Sequence, residues 1–227
     1  GEFSMKLCSA TKPVRGNDLK IFSEDGKELG PNEEGLVVVK LPLPPGNMLG
    51  LWENDKRFKE SYFSRFDGYY LSGDGGFIDE DGYVFITGRV DDLINVAGHR
   101  LSTAEMEEVV ASHHSVAECA VIGISDDLKG QIPVALVVVK AGESIENFQL
   151  EYEVVQLIRK RIGAVASLRN VIVVQRLPKT RSGKILRKLL RSIADGENFQ
   201  IPSTIDDETI IEEIQNDFKI SKLGKAI

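Results

Sequence analysis

Apolar and polar residues alternate over short distances between residues 13 and 90, with turn residues separating the runs. The run GLVVVKL, opened by Gly35, is the strongest strand signal, and DLKIFSEDGKELG predicts two shorter strands around Asp25-Gly26. The prolines of LPLPPG interrupt this pattern, because proline lacks an amide donor and fixes φ. Beyond them, YYLSGDGGFIDEDGYVFITGR predicts strands joined by tight turns, with DEDG as a hairpin turn.

Helical periodicity begins after Arg89, so we expect a seam between two parts of the chain at GRVDDLIN. Ser102 and Glu105 form a capping-box pattern, and the apolar residues after it predict a helix over 103–113. A second amphipathic helix is predicted over 148–162. Three strands are predicted in the same part, at VAECAVIGI, IPVALVVVK and NVIVVQ.

A third helix is predicted after a basic loop and ends near Gly196. Its apolar face contains Ile185, Leu189, Leu190 and Ile193. From Ile201 onward the sequence shows one short acidic helix pattern and a polar end, for which we expect fraying. The whole pattern predicts an α+β protein, with a β-rich part followed by a small part in which helices flank a mixed sheet.

Composition narrows the classes of function. The chain has 227 residues, 42% of them hydrophobic, and a formal net charge of -7, which argues against a general nucleic-acid binder. It has no long uncharged apolar run, so we predict no membrane association. Cys8 and Cys119 are far apart, which favours reduced thiols and a cytoplasmic location, with the mitochondrial matrix as an alternative. His113 and His114 would point in different directions on a helix, so no metal site is predicted.

The basic loop is the main chemical signal. Between Arg176 and Arg191 there are seven Lys and Arg residues and no Asp or Glu. The loop is not a nucleotide-binding P-loop, because Pro178 and Ile185 occupy positions that need Gly and Ser or Thr. Lys184 follows a Ser-Gly turn at a predicted helix start, where amide donors favour anions. For an arbitrary loop, a solvated basic surface is the more common explanation, so the loop alone does not decide.

Three motifs in order decide between these interpretations: LSGDGG, GRVDDLINVAGHRLSTAEMEE and LPKTRSGKILR. Together they resemble the adenylate-forming superfamily, in particular the short-chain acyl-CoA synthetases for acetate and propionate. The segments LPLPPG, LWENDKRF and IADGE are most similar to propionyl-CoA synthetase, as are Ala97 and Asn95, where other branches carry Ser and Lys. The resemblance implies a ligase that uses ATP, CoA and Mg²⁺.

The resemblance also implies roles for individual residues in the first half-reaction. Asp74 would accept hydrogen bonds from the ribose hydroxyls of ATP, and Arg89 would contact the nucleotide on its phosphate side. Asp91 would be the hinge between a large and a small domain. Their ordinary interpretations are a turn aspartate, a surface arginine and a linker acid. Lys184 would stabilise negative charge as a carboxylate attacks the α-phosphorus of ATP.

A second set of residues belongs to thioester formation. Ala97 and Gly98 would let the pantetheine arm of CoA pass, and Arg100 would lie beside the active site in that arrangement. Arg159 matches a position that meets the nucleotide phosphate of CoA, although an exposed helical arginine is an equal explanation. The remaining loop cations are expected to steer polyanions rather than catalyse; they are Lys179, Arg181 and Arg187.

The resemblance covers only part of such an enzyme. The phosphate loop and acyl pocket of the family lie in an N-terminal domain with no counterpart here, so we expect a C-terminal fragment that is inactive alone and whose substrate acid is open. Residues 1–5 resemble a cloning scar. The remaining chain is expected to divide into 6–90 of the large domain, a small domain over 91–201 and a tail over 202–227.

Partners and alternatives follow from the same family. We expect small-molecule substrates, the missing N-terminal domain, and a protein acetyltransferase and deacylase acting on Lys184. One alternative is an adenylation domain for another carboxylic or amino acid. A second is a non-catalytic module that binds an anion through the basic loop.

Overall fold

The computed structural model describes residues 3–225. Its contacts divide the chain into two compact units, Gly1–Asp91 and Asp92–Ile227. Both units combine strands and helices, as the α+β prediction expects. Among the described residues, no helix is long and apolar enough to cross a membrane.

The first unit is built on a four-stranded antiparallel sheet in the order β1-β2-β3-β4. Its elements are β1 (Leu19–Phe22), β2 (Gly35–Lys40), helix α1 (Asp55–Tyr62), β3 (Tyr69–Ile78) and β4 (Val84–Arg89). The predicted DEDG hairpin turn is confirmed, because Asp79 accepts the amides of Asp81 and Tyr83 and its own carbonyl accepts that of Gly82. β3 contains the SGDGG sequence, and its register against β4 shifts between Gly75 and Gly76.

The second unit has a five-stranded sheet in the order β6-β5-β8-β7, with β9 parallel to β8. Its strands are β5 (Leu93–Val96), β6 (His99–Ser102), β7 (Val116–Asp126), β8 (Gly130–Val139) and β9 (Asn170–Val173). Its helices are α2 (Thr103–Ala111), α3 (Asn147–Arg161), α4 (Arg187–Ala194) and α5 (Ile210–Ser221). The predicted mixed sheet flanked by helices is confirmed.

Alternation along β7 explains the layers of the second unit, since successive side chains of a strand point to opposite faces. Ala120, Ile122 and Ile124 pack with α4 and α5 in one buried cluster. Val121 packs with α2 and α3 in a second buried cluster. The sheet therefore separates two helical layers, each with its own apolar core.

The sequence pattern did not predict two local elements, helix α1 and the β5–β6 hairpin. Helix α1 has no buried residue, and its start is fixed by the Asn54 side chain accepting the Arg57 amide. The β5–β6 hairpin consists of two four-residue strands joined at Ala97-Gly98, which is not a common turn sequence.

The short acidic helix expected after Ile201 is confirmed as α5, which ends at Ser221, three residues into the polar end for which fraying was expected. Ile205 is buried in the core of the second unit. Four residues of α5 are buried there too: Ile210, Ile211, Ile214 and Phe218. An apolar face of this size offsets the entropy cost of ordering a C-terminal helix.

Candidate active site

Asp74 and Arg89 face each other across the β3–β4 pair in the first unit. The Arg89 Nη1 atom donates to Asp74 Oδ1 and to the Ser72 carbonyl, both at 3.1 Å. The Asp74 carboxyl is about one-third exposed and the Arg89 side chain about half exposed. A carboxylate and a guanidinium therefore lie together at the surface, with a second carboxylate oxygen left to accept a hydroxyl.

The backbone beside Asp74 is shaped to bring this pair together. Gly73 has a φ of 79°, and a Cβ there would lie 2.7 Å from Arg89 Nη2. Ser72 donates its hydroxyl to the Val37 carbonyl and accepts the Asp74 amide. The positive φ is therefore the reason for glycine at this position, since the flexible Arg89 side chain could move aside for a Cβ.

Lys184 lies in a small hairpin, residues 179–185, which we call the lysine hairpin. Lys179 and Ile185 form an antiparallel bridge at its base. The Thr180 amide donates to the Lys184 carbonyl at 2.8 Å, and the Thr180 hydroxyl oxygen accepts the Lys184 amide at 3.1 Å. The prediction that Lys184 starts a helix is wrong, because α4 begins three residues later at Arg187. Thr180 therefore holds the backbone of Lys184 at both its amide and its carbonyl. Lys184 does not lie at a helix end, where a helix dipole would act on it.

Two of the cations around the hairpin form ion pairs with carboxylates of the same chain. Lys179 pairs with Glu118 at 2.6 Å, and Arg187 pairs with Glu107 at 2.7 Å. The expectation that these two cations steer ligands is therefore corrected, since each is engaged by a carboxylate. Lys184 is exposed, and no ion pair to it is found within residues 3–225. Arg181 is exposed as well.

The β5–β6 hairpin presents the second group of predicted residues. Ala97 and Gly98 form its two-residue turn with φ values of 49° and 87°, and both are exposed. A positive φ is uncommon for alanine, and strained positions of this kind cluster at functional sites. Arg100 is in β6 and Asp91 lies at the end of the first unit, but their side chains fall outside the described part of the structure.

Arg159 lies in the last turn of α3 and is exposed. It lines a cavity of about 150 Å³ together with Arg169, Gly163 and Ser167. Two arginines at one small cavity make an anion site chemically reasonable. The dipole at the end of α3 is an equally good reason for a basic residue there.

Comparison with known proteins identifies the family of one part of the chain. The family described as AMP-binding enzyme C-terminal domain matches residues 105–184, a range that begins in α2 and ends at Lys184. The chain contains an AMP-binding enzyme C-terminal domain. The recognition of the adenylate-forming family from the three motifs is thereby confirmed.

The relatives of this AMP-binding C-terminal domain include short-chain acyl-CoA synthetases. An uncharacterized protein of Pseudomonas aeruginosa is 53% identical over 97% of the chain. The human mitochondrial acyl-CoA synthetase short-chain family member 3 is 45% identical over 92% of the chain. The chain spans 35% and 31% of the length of these two relatives.

A solved structure supports the fold assignment. The structure of ATP-bound MatB from Rhodopseudomonas palustris has a TM-score of 0.65 and 28% sequence identity. That likeness covers 84% of the chain and 36% of the MatB chain. Most of the chain therefore shares its fold with part of a solved ATP-bound protein.

The AMP-binding C-terminal domain also contains a histidine cluster that the sequence analysis excluded. α2 ends at Ala111, so His113 and His114 are not on a helix, and their rings stack with centroids 4.6 Å apart. His113 Nε2 lies 2.8 Å from Glu153 Oε2, and ligand atoms of the three residues lie within 4.8 Å of one another. The premise for predicting no metal ligands is therefore wrong.

This cluster is arranged as a hydrogen-bonded pair rather than a metal centre. His113 is buried, and its Nδ1 accepts the Ser115 amide at 3.3 Å, which leaves Nε2 to donate to Glu153. Gln149 and His113 lower the pKa of the Glu153 carboxyl by hydrogen bonding to it. Hydrogen bonds to Glu153 and to the Ser115 amide therefore engage both ring nitrogens of His113.

Sequence reasoning missed the residues that hold the lysine hairpin in place. Glu107 is in the interior of α2, and the segment 204–206 lies in the stretch predicted only as a tail. The sequence carried no signal for the partner of either one, because their contacts join positions far apart in the chain. Only the excess of Lys and Arg between 176 and 191 hinted that acidic partners were needed elsewhere.

Proposed function

We propose that the chain is the C-terminal part of an AMP-forming acid–CoA ligase for a short-chain carboxylate. The observation that carries this proposal is the lysine hairpin, which presents an exposed Lys184 while its neighbours Lys179 and Arg187 are held by carboxylates. A loop built only to attract anions has no reason to neutralise its own flanking charges. A loop built to aim one ammonium group does.

In the first half-reaction, an oxygen of the substrate carboxylate attacks the α-phosphorus of ATP and displaces pyrophosphate. Negative charge accumulates on the phosphoryl oxygens, and the Lys184 ammonium group would stabilise it. Asp74 would accept hydrogen bonds from the ribose hydroxyls, and Arg89 would contact the phosphate side. Their mutual hydrogen bond at 3.1 Å supports this assignment, because it holds both groups ready at one surface.

In the second half-reaction, the thiol of CoA attacks the acyl carbon and AMP leaves. Ala97 and Gly98 would face the pantetheine arm, and their exposed turn supports this role because a Cβ at Gly98 would meet open space. Arg100 would lie beside the reacting centre, and Asp91 would be the hinge between the two arrangements. Arg159 would meet the nucleotide phosphate of CoA, supported by the second arginine at its cavity, Arg169.

The resemblance favours propionate or acetate as the acid. ATP and CoA are the expected co-substrates, and Mg²⁺ would be held mainly by the N-terminal part of the enzyme. Residues 6–90 would then complete the large domain, and residues from 91 onward would form the mobile small domain. We further propose a reducing compartment, the cytoplasm or the mitochondrial matrix, which fits the free thiols of Cys8 and Cys119.

Reversible acylation of Lys184 would regulate such an enzyme, because it removes the charge that the first half-reaction needs. The exposure of Lys184 on a hairpin supports access by an acetyltransferase and a deacylase. Mass spectrometry of protein from its native cells tests this proposal. Lys184 that stays unmodified under every growth condition would refute it.

The test of the function uses the full-length ligase that contains this chain. Lys184→Ala is expected to reduce acyl-AMP formation from acid and ATP by about 10²-fold or more, since one such contact contributes roughly 3 kcal/mol. Thioester formation from supplied acyl-AMP and CoA should persist. Lys188→Ala is the matched control, because Lys188 is an exposed lysine four residues away.

The outcomes separate the competing functions. If Lys184→Ala retained both half-reactions, the basic loop would be interpreted as a solvated surface without a catalytic role. The alternative of an anion-binding module predicts no acyl-AMP from the wild-type enzyme with any acid. Activity with amino acids but not with propionate or acetate would indicate an adenylation domain of another class.

A further inference from the structure

The position of Lys184 depends on what holds the lysine hairpin. One edge of the hairpin pairs with the C-terminal segment: Thr180 bridges Ile205, and the Arg181 amide donates to the Thr204 carbonyl at 3.0 Å. The Asp206 amide donates to the Lys179 carbonyl at 2.9 Å. These backbone contacts fix the outer strand of the hairpin, and the hairpin's own backbone bonds tie its inner strand to the outer one; the Leu186 amide, for example, donates to the Pro178 carbonyl at 2.9 Å. The anchor between the inner end and the rest of the unit is a side chain.

The inner end is held by Arg187, three residues after Lys184. The Arg187 Nε and Nη2 atoms donate to the two carboxylate oxygens of Glu107 at 2.9 and 2.7 Å. The Glu107 Oε1 atom also accepts the Val121 amide at 2.8 Å. One carboxylate therefore joins the start of α4, the middle of α2 and the edge strand β7 of the sheet.

This pair is better shielded than the other ion pairs of the loop. The side chains of Arg187 and Glu107 are 24% and 15% exposed, against 30% and 44% for Lys179 and Glu118. Hydrogen bonding to Glu107 raises the pKa of Arg187 despite its partial burial. A two-point contact between a planar guanidinium and a shielded carboxylate fixes orientation as well as distance.

The support behind Glu107 is itself rigid. α2 begins with a side-chain cap, in which Ser102 Oγ accepts the Glu105 amide. Three apolar residues of α2 are buried in the core cluster on this side of the sheet: Met106, Val109 and Val110. Glu107 therefore has a fixed platform from which to hold Arg187.

We propose that Glu107 is a positioning residue for Lys184, acting through the bidentate contact with Arg187. The proposal rests on the adenylation role proposed for Lys184. Glu107 touches no substrate in this role; it sets where the Lys184 ammonium group lies when charge develops on the phosphoryl oxygens. A displacement of about 1 Å at a reacting centre costs on the order of 10²-fold in rate.

The test compares Glu107→Gln with Glu108→Gln in the full-length ligase. Glu108 is the adjacent glutamate of α2, and its side chain is exposed. For Glu107→Gln, kcat for acyl-AMP formation should fall by roughly 10- to 10²-fold, with the KM for ATP changed by less than about threefold. Thioester formation from supplied acyl-AMP should stay within about twofold of wild type. Glu108→Gln should match wild type in both half-reactions.

A second variant covers the case in which Glu107→Gln does not fold. Arg187→Lys keeps the charge but loses the planar fork, so it should show the same separation between half-reactions with a smaller loss of melting temperature. The double variant Glu107→Gln/Arg187→Lys should lose little more acyl-AMP formation than either single variant, since both changes disrupt the same contact.

Each remaining outcome contradicts the proposal. Acyl-AMP formation by folded Glu107→Gln at the level of Glu108→Gln would overturn it. Equal loss of both half-reactions, at an unchanged melting temperature, would overturn it as well. Lys184→Ala is assayed in parallel: if that variant still forms acyl-AMP, the proposed function fails first, and the effect of Glu107 has another cause.

Discussion

Arg176 joins three residues of the C-terminal segment through a single guanidinium group. It donates to Asp207 at 2.6 Å, to Glu213 at 2.6 and 3.0 Å, and to the Thr209 hydroxyl at 2.7 Å. Arg176 lowers the pKa of Asp207 to about 2, and it lowers that of Glu213 as well. At the scale of residues, the segment after β9 and the segment before α5 are therefore connected by charge.

This lowered pKa predicts a pH dependence of stability. A carboxyl whose pKa is lower in the folded state stabilises the fold above its ordinary pKa of 3.8, and this contribution is lost as the pH falls toward about 2. Asp207→Asn should therefore melt at a lower temperature than wild type at neutral pH. The difference should shrink between about pH 4 and pH 2.

Melting curves of the 227-residue chain across this pH range check the prediction. Asp206→Asn is the control, because Asp206 is an exposed neighbour. A difference between Asp207→Asn and wild type that is constant across the whole range would show that the charge of Asp207 contributes nothing.

At the scale of elements, patterns that are long and regular predicted the structure well. The helix predicted over 103–113 is α2 (Thr103–Ala111), and the one over 148–162 is α3 (Asn147–Arg161). Local signals sufficed there, because a cap or an apolar stripe lies within a few residues of each helix. The strands predicted in the second half were found for the same reason.

Elements that depend on partners far away in the chain could not be predicted from the sequence pattern. The lysine hairpin depends on the segment 204–206, about twenty residues further along, and no local spacing encodes that pairing. β5 and β6 are four residues each, too short to show a period. The functional motifs were identified by resemblance, so Lys184, Asp74 and Arg89 were named before their geometry was known.

Helix α5 gives a prediction about stability. Phe218 is fully buried, so Phe218→Ala should lower the free energy of unfolding by about 3–5 kcal/mol through lost burial and the cavity it leaves. Ile220, two residues on, is 71% exposed, so Ile220→Ala should change it by less than about 0.5 kcal/mol. Urea denaturation of the 227-residue chain measures both. Equal effects of the two changes would mean that α5 does not pack in solution.

At the scale of the whole molecule, the proposed machinery is divided between the two units. Asp74 and Arg89 belong to the first unit, whereas Lys184, Ala97 and Gly98 belong to the second. The division falls after Asp91, inside the seam predicted at GRVDDLIN. The assignment of the units to a large and a small domain stays a prediction.

The chain spans 31% of the length of its human relative, and the proposed machinery is divided between its two units. We therefore predict that the 227-residue chain alone releases no pyrophosphate from propionate or acetate and ATP, because the resemblance places the acyl pocket in the N-terminal part of the enzyme. It should also form no thioester from supplied propionyl-AMP and CoA. A coupled pyrophosphate assay and mass spectrometry of the products measure the two reactions. Turnover in either one would show that the chain is self-sufficient.

The ion pairs around the lysine hairpin should weaken the effect of ionic strength on the approach of a nucleotide. Seven cations lie between Arg176 and Arg191, but Arg176, Lys179 and Arg187 are each countered by a carboxylate within 3 Å. Long-range attraction depends on net charge, and dissolved salt screens it beyond about 10 Å at 0.1 M. A nucleotide approaching this surface therefore meets a weaker field than the sequence suggests, and added salt should slow its arrival only mildly.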